Sequence, residues 1–209
     1  MTAKTFEEMV DAIQAAYARY ITRANTELLV EMCLRLGLDP GFVADLMAHE
    51  SKFSPSIQNP TPGSTATGLI QFIESTAGEL GTTTTALRDM SFERQLEFVE
   101  DYYRGKIKSH GALTTEADTY MAVFYPAAIG NTSFEFPAFV TAMNKSIDVA
   151  SYVANVRASA DRLGGRVGPL LYPQGVWEIG VSSALSSKTP FVVAVVSLLV
   201  LLGFAVSRR

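Results

Sequence analysis

The chain has 209 residues, of which 48 % are apolar, so it is long and apolar enough to bury one substantial core with appendages. Its net charge of −4 argues against nucleic acid as the main partner, because nucleic-acid-binding modules present a basic face. The single cysteine, Cys33, cannot form an internal disulfide, and with only His49 and His110 beside it the chain cannot build a Cys/His zinc site of its own.

The first predicted element is an amino-terminal helix within residues 1–24. Thr5 and Glu8 have the spacing of a capping box, in which each side chain caps the other residue's backbone N–H. An apolar stripe with helical spacing follows, formed by Phe6, Met9, Val10, Ile13 and Tyr17. No basic region followed by an apolar core precedes it, so we expect no cleavable signal peptide.

The later helices are bounded by residues typical of helix ends. The predicted starts are Asn25, Asp39 with Pro40, Ser91 and Thr115, and the predicted stops are Gly37 and Pro55. A last helix over 146–163 has an apolar stripe at Ile147, Ala150, Val153 and Ala154. Alternation typical of strands is nearly absent. The predicted fold class is therefore all-α.

Glu50 is the candidate for chemistry in the third helix. Val43, Leu46, Met47 and Glu50 follow the i, i+3, i+4, i+7 spacing of one helix face, which places the carboxyl where apolar side chains point. Desolvation there would raise the pKa of the carboxyl towards neutrality, as a general acid requires. On spacing alone, a glutamate near a helix end that reaches water is an equal alternative.

Other motifs in this region fail on spacing. His49 and Glu50 lack the second histidine, one turn further on, that completes a metalloprotease helix. The stretch GSTATGLI has Leu69 where a phosphate-binding loop needs a lysine. Residues 54–67 are rich in Pro, Gly and hydroxyl side chains, and so favour an ordered wall without bulk, along which an extended polar ligand could lie.

Three short motifs together resemble a known family. "ES" at 50–51, "GLIQF" at 68–72 and "FYPAA" at 124–128 are similar, in order and spacing, to the three signatures of lytic transglycosylases with the lysozyme-like fold, the soluble type related to goose-type lysozyme. The resemblance covers residues 25 to 163. Three ordered motifs are far more specific than any one of them.

The resemblance implies a role for each matching residue. Glu50 would be the catalytic acid and base. The substrate-binding residues would be Ser51, which orients Glu50, the cleft wall Gly68, Leu69, Ile70 and Gln71, and Tyr125, whose hydroxyl would lie near the carboxyl. Taken without the resemblance, Tyr125 is more simply a core aromatic, since Met121, Phe124 and Tyr125 share one helical face.

One departure from the family pattern concerns the third signature. The family usually has Tyr-Asn at this point, whereas Pro126 follows Tyr125 here, so a contact from the Asn amide is missing. Similar Tyr-Pro versions occur among phage-encoded members of the family. The resemblance therefore points to a phage virion-associated member.

The resemblance also implies a mechanism that uses one carboxyl. Ordinary glycosidases need two carboxylates, whereas a lytic transglycosylase uses the C6 hydroxyl of its own substrate as the nucleophile. The bond between N-acetylmuramic acid and N-acetylglucosamine in peptidoglycan would be cleaved to leave 1,6-anhydro ends, without a metal or other cofactor. A hydrolytic muramidase on the same fold and a non-catalytic lysozyme-like binding protein are the alternatives.

The carboxyl-terminal part changes in composition. We predict a lysozyme-like domain over 25–165, a linker or wrapping tail rich in Gly, Pro and Ser over 166–189, and a transmembrane helix over 190–206. Phe191 to Val206 has no charged residue, and at about 1.5 Å per residue it spans about 24 Å. A buried core helix is the alternative for this run.

These features together predict a cellular setting. A wall-cutting domain without an export signal, tethered by its tail, fits a virion with an internal membrane, in which the enzyme opens the wall when a phage infects its host. The expected partners are peptidoglycan glycan strands, the membrane and possible further virion proteins, but no nucleic acid. A tail-anchored enzyme of the bacterial membrane is the alternative location.

Overall fold

The computed structural model describes residues 4–171, and this part of the chain folds as helices joined by short turns. The helices are α1 Phe6–Tyr17, α2 Arg23–Leu36, α3 Pro40–Ser51, α4 Glu74–Glu79, α5 Thr84–Arg88, α6 Phe92–His110, α7 Glu116–Phe124, α8 Ala138–Asn144 and α9 Val149–Leu163, with a 3-10 turn at Pro126–Ala128. Within residues 4–171 the β structure is limited to isolated bridges. The prediction of an all-α fold is confirmed for this range.

The ends of the first two helices show how local signals work. Thr5 and Glu8 form the predicted capping box at α1. The start predicted for α2 was wrong: the cap is Thr22, whose hydroxyl accepts the backbone N–H of Asn25. Asn25 is thus already inside the helix, because the better-placed hydroxyl three residues earlier takes the capping role.

Helix α3 lies at the centre of the domain, packed by α1, α2, α7 and α9. Nine of its twelve residues are buried. Leu46 belongs to the smaller of two apolar clusters, with residues of α7 and α9, whereas Val43 and Met47 belong to the larger cluster with α1, α2 and α6. The helix ends at Ser51 because Lys52 and Phe53 both adopt left-handed backbone conformations. Helix α3 therefore contributes side chains to both apolar clusters, and His49 and Glu50 near its end are half-buried.

Residues 166–171, here called the strap, lie against α3. Asp45 accepts the backbone N–H groups of Val167 and Gly168, both at 3.0 Å, and Asp39 accepts those of Leu170 and Leu171 at 2.7 to 3.1 Å. These contacts hold the first six residues of the predicted linker or wrapping tail against the domain. Composition alone predicted no helix here, and two buried carboxylates bind the backbone of the segment.

Helix α9 is buried on a different face from the one predicted. Its buried residues are Val149, Tyr152, Val153, Val156 and Ala160, whereas Ile147 is 62 % exposed and Ala150 and Ala154 are exposed. The helix begins at Val149, after Asp148, rather than at 146. From that start, Val149, Tyr152 and Val156 bury more apolar area than the alanines of the predicted stripe could.

No helix within residues 4–171 is long and apolar enough to cross a membrane. The remainder of the predicted linker and the predicted transmembrane helix over 190–206 lie outside the described residues.

Candidate active site

Glu50 is the penultimate residue of α3 and is half-buried. Its Oε1 accepts a hydrogen bond of 2.7 Å from the hydroxyl of Tyr152. Burial raises the pKa of Glu50 from 4.5 to about 7, and the Tyr152 hydrogen bond acts in the opposite direction. Among residues 4–171 no second carboxylate contributes to this shift. The result is a single carboxyl that can hold its proton near neutral pH.

Tyr152 is the partner of Glu50 that the sequence did not reveal. It is 4 % exposed, and its ring stacks on Phe124 with a centroid distance of 3.9 Å and an interplanar angle of 12°. The ring of His49 meets it edge-on at 5.9 Å. Burial and the neighbouring Glu50 hold the pKa of Tyr152 well above its ordinary value, so the hydroxyl stays neutral and can donate. Packing of α9 on α3 makes this pair.

Tyr125 lies beside this pair in an aromatic cluster. It is half-buried and follows α7, with its ring centroid 5.4 Å from that of Phe134 and 5.5 Å from that of Phe136. Its backbone, with φ of −151° and ψ of 81°, lies outside the helical region, in which a residue before proline is disfavoured. In the described part of the chain the Tyr152 hydroxyl donates to Glu50, and the placement of the Tyr125 hydroxyl near the carboxyl stays a prediction from the resemblance.

Ser51 is buried and faces the interior of the protein. Its hydroxyl lies 3.0 Å from the carbonyl oxygen of Leu69 and 3.2 Å from that of Met47. One hydroxyl hydrogen serves these two acceptors, so Ser51 links the last turn of α3 to the loop that follows it. The contact fixes the distance between the Glu50 backbone and the segment 68–71.

The segment Gly68 to Gln71 forms a tight turn against α3. Gly68 has a φ of +75° and donates its N–H to the Ile57 carbonyl at 2.8 Å. The side chains of Leu69 and Ile70 are buried, so they anchor the turn in the core. Gln71 is half-buried, and its amide Nε2 donates to the Gly68 carbonyl at 3.2 Å. Gln71 is thus the member of this segment whose side chain reaches the surface.

Gln95 of α6 is a second residue that the sequence did not reveal. It is fully buried, and its Oε1 accepts the Leu69 N–H at 2.6 Å. Its Nε2 donates to the carbonyl oxygens of Pro55 at 2.9 Å and Leu87 at 2.7 Å. A polar residue between Arg94 and Leu96 in an amphipathic helix has no local signal of such a role, because all three partners lie outside the helix.

Within residues 4–171, no group of three or more His, Cys, Asp and Glu side chains is placed to hold a metal ion. His49, next to Glu50, has its Nδ1 2.9 Å from the Ser159 hydroxyl. Burial, with a smaller contribution from Arg162, lowers the pKa of His49. This histidine is therefore a neutral neighbour of the carboxyl at physiological pH.

Comparison with protein families gives one match. Residues 28–95, a third of the chain, match the family model described as Transglycosylase SLT domain. The matched range holds Glu50, Ser51 and the segment Gly68 to Gln71, and ends before Tyr125 and Tyr152. Neither the search of curated proteins nor that of solved structures found a match. The family match supports a lytic transglycosylase with the lysozyme-like fold, and hence an enzyme that acts on peptidoglycan.

Proposed function

We propose that the protein is a peptidoglycan lytic transglycosylase that cleaves between N-acetylmuramic acid and N-acetylglucosamine and leaves 1,6-anhydro ends. The observation that carries the proposal is the Glu50 carboxyl, which burial brings to a pKa of about 7 with one tyrosine as its partner. A carboxyl with this pKa can give and retake a proton in one cycle near neutral pH.

In the first step Glu50 acts as the general acid. Its proton passes to the glycosidic oxygen, the bond from that oxygen to C1 of the muramic acid breaks, and positive charge develops on the sugar ring. The proton transfer leaves Glu50 as a carboxylate. The Tyr152 hydroxyl, at 2.7 Å, then stabilises the new negative charge, because hydrogen bonds to ionised groups are the stronger ones.

In the second step Glu50 acts as the general base. The carboxylate takes the proton of the C6 hydroxyl while that oxygen bonds to C1, which closes the anhydro ring and returns Glu50 to its protonated form. No water is consumed. A hydrolase would need a second carboxylate to activate water or to attack C1, whereas the Glu50 carboxyl is paired with the Tyr152 hydroxyl in the described part of the chain.

The proposed substrate wall is the turn Gly68 to Gln71 beside Glu50. Its backbone is held to α3 by Ser51, and the amide of Gln71 offers a donor and an acceptor to the polar groups of a sugar. We assign Tyr125 to the aromatic cluster that supports Phe124, the ring on which Tyr152 stacks. Ser51, Leu69 and Ile70 are buried, so in this proposal they act on the substrate by holding Gln71 and the wall in place.

The test is the pair Glu50→Gln and Glu79→Gln, since Glu79 is an exposed glutamate at the end of α4. The first change should reduce cleavage of purified cell wall by at least about a hundredfold, because the amide cannot donate and retake the proton. The second should leave it unchanged. Near wild-type cleavage by Glu50→Gln, with an unchanged circular dichroism spectrum, would refute the assignment of the site.

We also propose a setting, supported by the sequence alone. The uncharged run 191–206 would anchor the protein in a membrane, and the Tyr-Pro form of the third signature favours a phage virion. There the enzyme would open the host wall during infection, in contact with other virion proteins. Immunodetection of the protein in purified virions tests this setting, and its presence only in the membrane of uninfected bacteria would contradict it.

A further inference from the structure

We propose that Gln95 is a positioning residue that holds the substrate wall, Gly68 to Gln71, in register with Glu50 and thereby sets the affinity for the glycan strand. This inference rests on the proposed function. Gln95 lies on α6, away from the reacting atoms, and would act through the backbone that it binds.

The amide of Gln95 joins three separate parts of the chain. Its oxygen binds the N–H of Leu69 in the wall, and its nitrogen binds the carbonyl oxygens of Pro55, where the loop begins, and of Leu87 in α5. These three hydrogen bonds have donor–acceptor distances of 2.6 to 2.9 Å. One side chain thus ties both ends of the loop 55–69 to α6.

The Leu69 residue is held from two sides. Its N–H is bound by Gln95 and its carbonyl oxygen by Ser51, which follows Glu50 directly in the chain. Loss of the Gln95 bond would release the Leu69 N–H from α6, whereas the Leu69 carbonyl would stay bound to Ser51 of α3. The expected consequence is a wall displaced relative to the carboxyl, with α3 itself unchanged.

Gly68 shows how closely the wall backbone meets this amide. A Cβ atom at Gly68 would lie 2.2 Å from Oε1 of Gln95 and 2.7 Å from its Cδ and Nε2. Because φ is +75° as well, glycine is the residue that fits both the conformation and the contact. The turn and the amide are therefore fitted to each other at van der Waals distance.

The chemistry at this position requires a primary amide. Glutamate would keep an acceptor for Leu69 but would face the carbonyl oxygens of Pro55 and Leu87 with a carboxylate instead of two N–H donors. Two carbonyl oxygens would then lose a hydrogen-bond donor, which lowers the stability of this part of the fold. Gln95→Glu is thus a nearly isosteric change that reverses two of the three contacts.

The experiment compares full-length wild type, Gln95→Glu and the control Asn131→Asp, which also turns a side-chain amide into a carboxylate, at an exposed position outside residues 54–71 where the acceptor for the Ser133 N–H is kept. Three quantities are measured: kcat and KM on uncrosslinked glycan strands, and the rate of amide hydrogen exchange in the peptide covering 66–72. For Gln95→Glu we expect KM to rise by about tenfold, kcat to change by less than about threefold, and exchange in 66–72 to accelerate by at least about tenfold. The control should change none of the three.

Two results would overturn the inference. One is a folded Gln95→Glu protein with unchanged KM and unchanged exchange in 66–72. The other is faster exchange throughout α3 and α9, together with a kcat that falls by the same factor by which KM rises. That result would mean a general structural role. If Gln95→Glu does not fold, Gln95→Asn, which keeps the amide on a shorter chain, is judged by the same criteria. The exchange measurement needs no activity, so failure of the proposed function would leave it interpretable.

Discussion

Replacement of Glu50 by glutamine should abolish wall cleavage and also stabilise the fold above neutral pH. Burial raises the pKa of this carboxyl from 4.5 to about 7, so the folded protein binds a proton that the unfolded chain has already released. The stability contributed by that proton is fully present below the unfolded value of 4.5. It is lost as the pH rises through 7, because ionisation then has to occur in the buried site.

The magnitude follows from the size of the shift. A rise from 4.5 to about 7 corresponds to at most about 3.5 kcal/mol, at about 1.4 kcal/mol for each unit of pKa. Glutamine keeps an oxygen that can accept the Tyr152 hydrogen bond and has no charge to desolvate. The variant should therefore match wild type at about pH 4 and exceed it by about 2 to 3 kcal/mol at about pH 8.

Urea unfolding of both full-length proteins in a mild detergent, followed by circular dichroism at the two pH values, measures this difference. Glu79→Gln is the matched control and should unfold like wild type at both. A Glu50→Gln protein whose stability relative to wild type is the same at both pH values would refute the view that the carboxyl is desolvated. It would also remove the physical reason for its acid role.

Three further predictions concern other parts of the chain. Tyr152→Phe removes the bond that lowers the pKa of Glu50, so the alkaline limb of the pH–rate profile should move to higher pH while the maximal rate falls; an unmoved limb would contradict this. A chain ending at Gly165 loses the strap and should be at least about 2 kcal/mol less stable in urea than one ending at Leu171; equal stabilities would show that the strap adds nothing. The full chain should float with liposomes and the chain ending at Leu171 should not, whereas flotation of neither would refute the anchor at 191–206.

The sequence predicted well what depends on neighbouring residues. The capping box of α1, the start of α3 at Asp39 with Pro40 and the cap of α6 at Ser91 all depend on side chains within three residues of the backbone they bind. The position of Glu50 on an apolar helix face follows from the same short-range periodicity. Such signals are readable because both partners lie in one turn of helix.

The parts that the sequence did not predict depend on distant pairs. Tyr152 is 102 residues from Glu50, and Gln95 is 26 residues from Leu69 and 40 from Pro55. Each of these side chains looks like an ordinary helix residue until the packing of α9 or α6 on the rest of the domain supplies its partner. A short family motif identifies the reactive residue, here Glu50, but it does not show which tyrosine hydroxyl donates to its carboxyl.

The partners of the strap could not be predicted for a related reason. Glycine and proline predict a linker from composition, since such segments gain little from burial on their own. From the sequence Asp39 is the cap of α3 and Asp45 looks like a solvent-facing residue of that helix, but each also accepts N–H groups from a segment more than 120 residues away. A buried carboxylate that has no Lys or Arg beside it needs other hydrogen-bond donors. Here those donors are backbone N–H groups of the strap, and the sequence does not show where along the chain they lie.

The central claim is that one carboxyl and the C6 hydroxyl of the substrate cleave the glycan strand, and mass spectrometry of wall digests tests it directly. Digestion of purified peptidoglycan by the full-length protein, analysed before and after borohydride reduction, distinguishes the two products. Anhydro muramic acid ends are one water lighter than hydrolysed ends and are not reduced by borohydride. We predict that anhydro ends dominate, and predominantly reducible muramic acid ends would contradict the mechanism and identify a hydrolytic muramidase on the same fold.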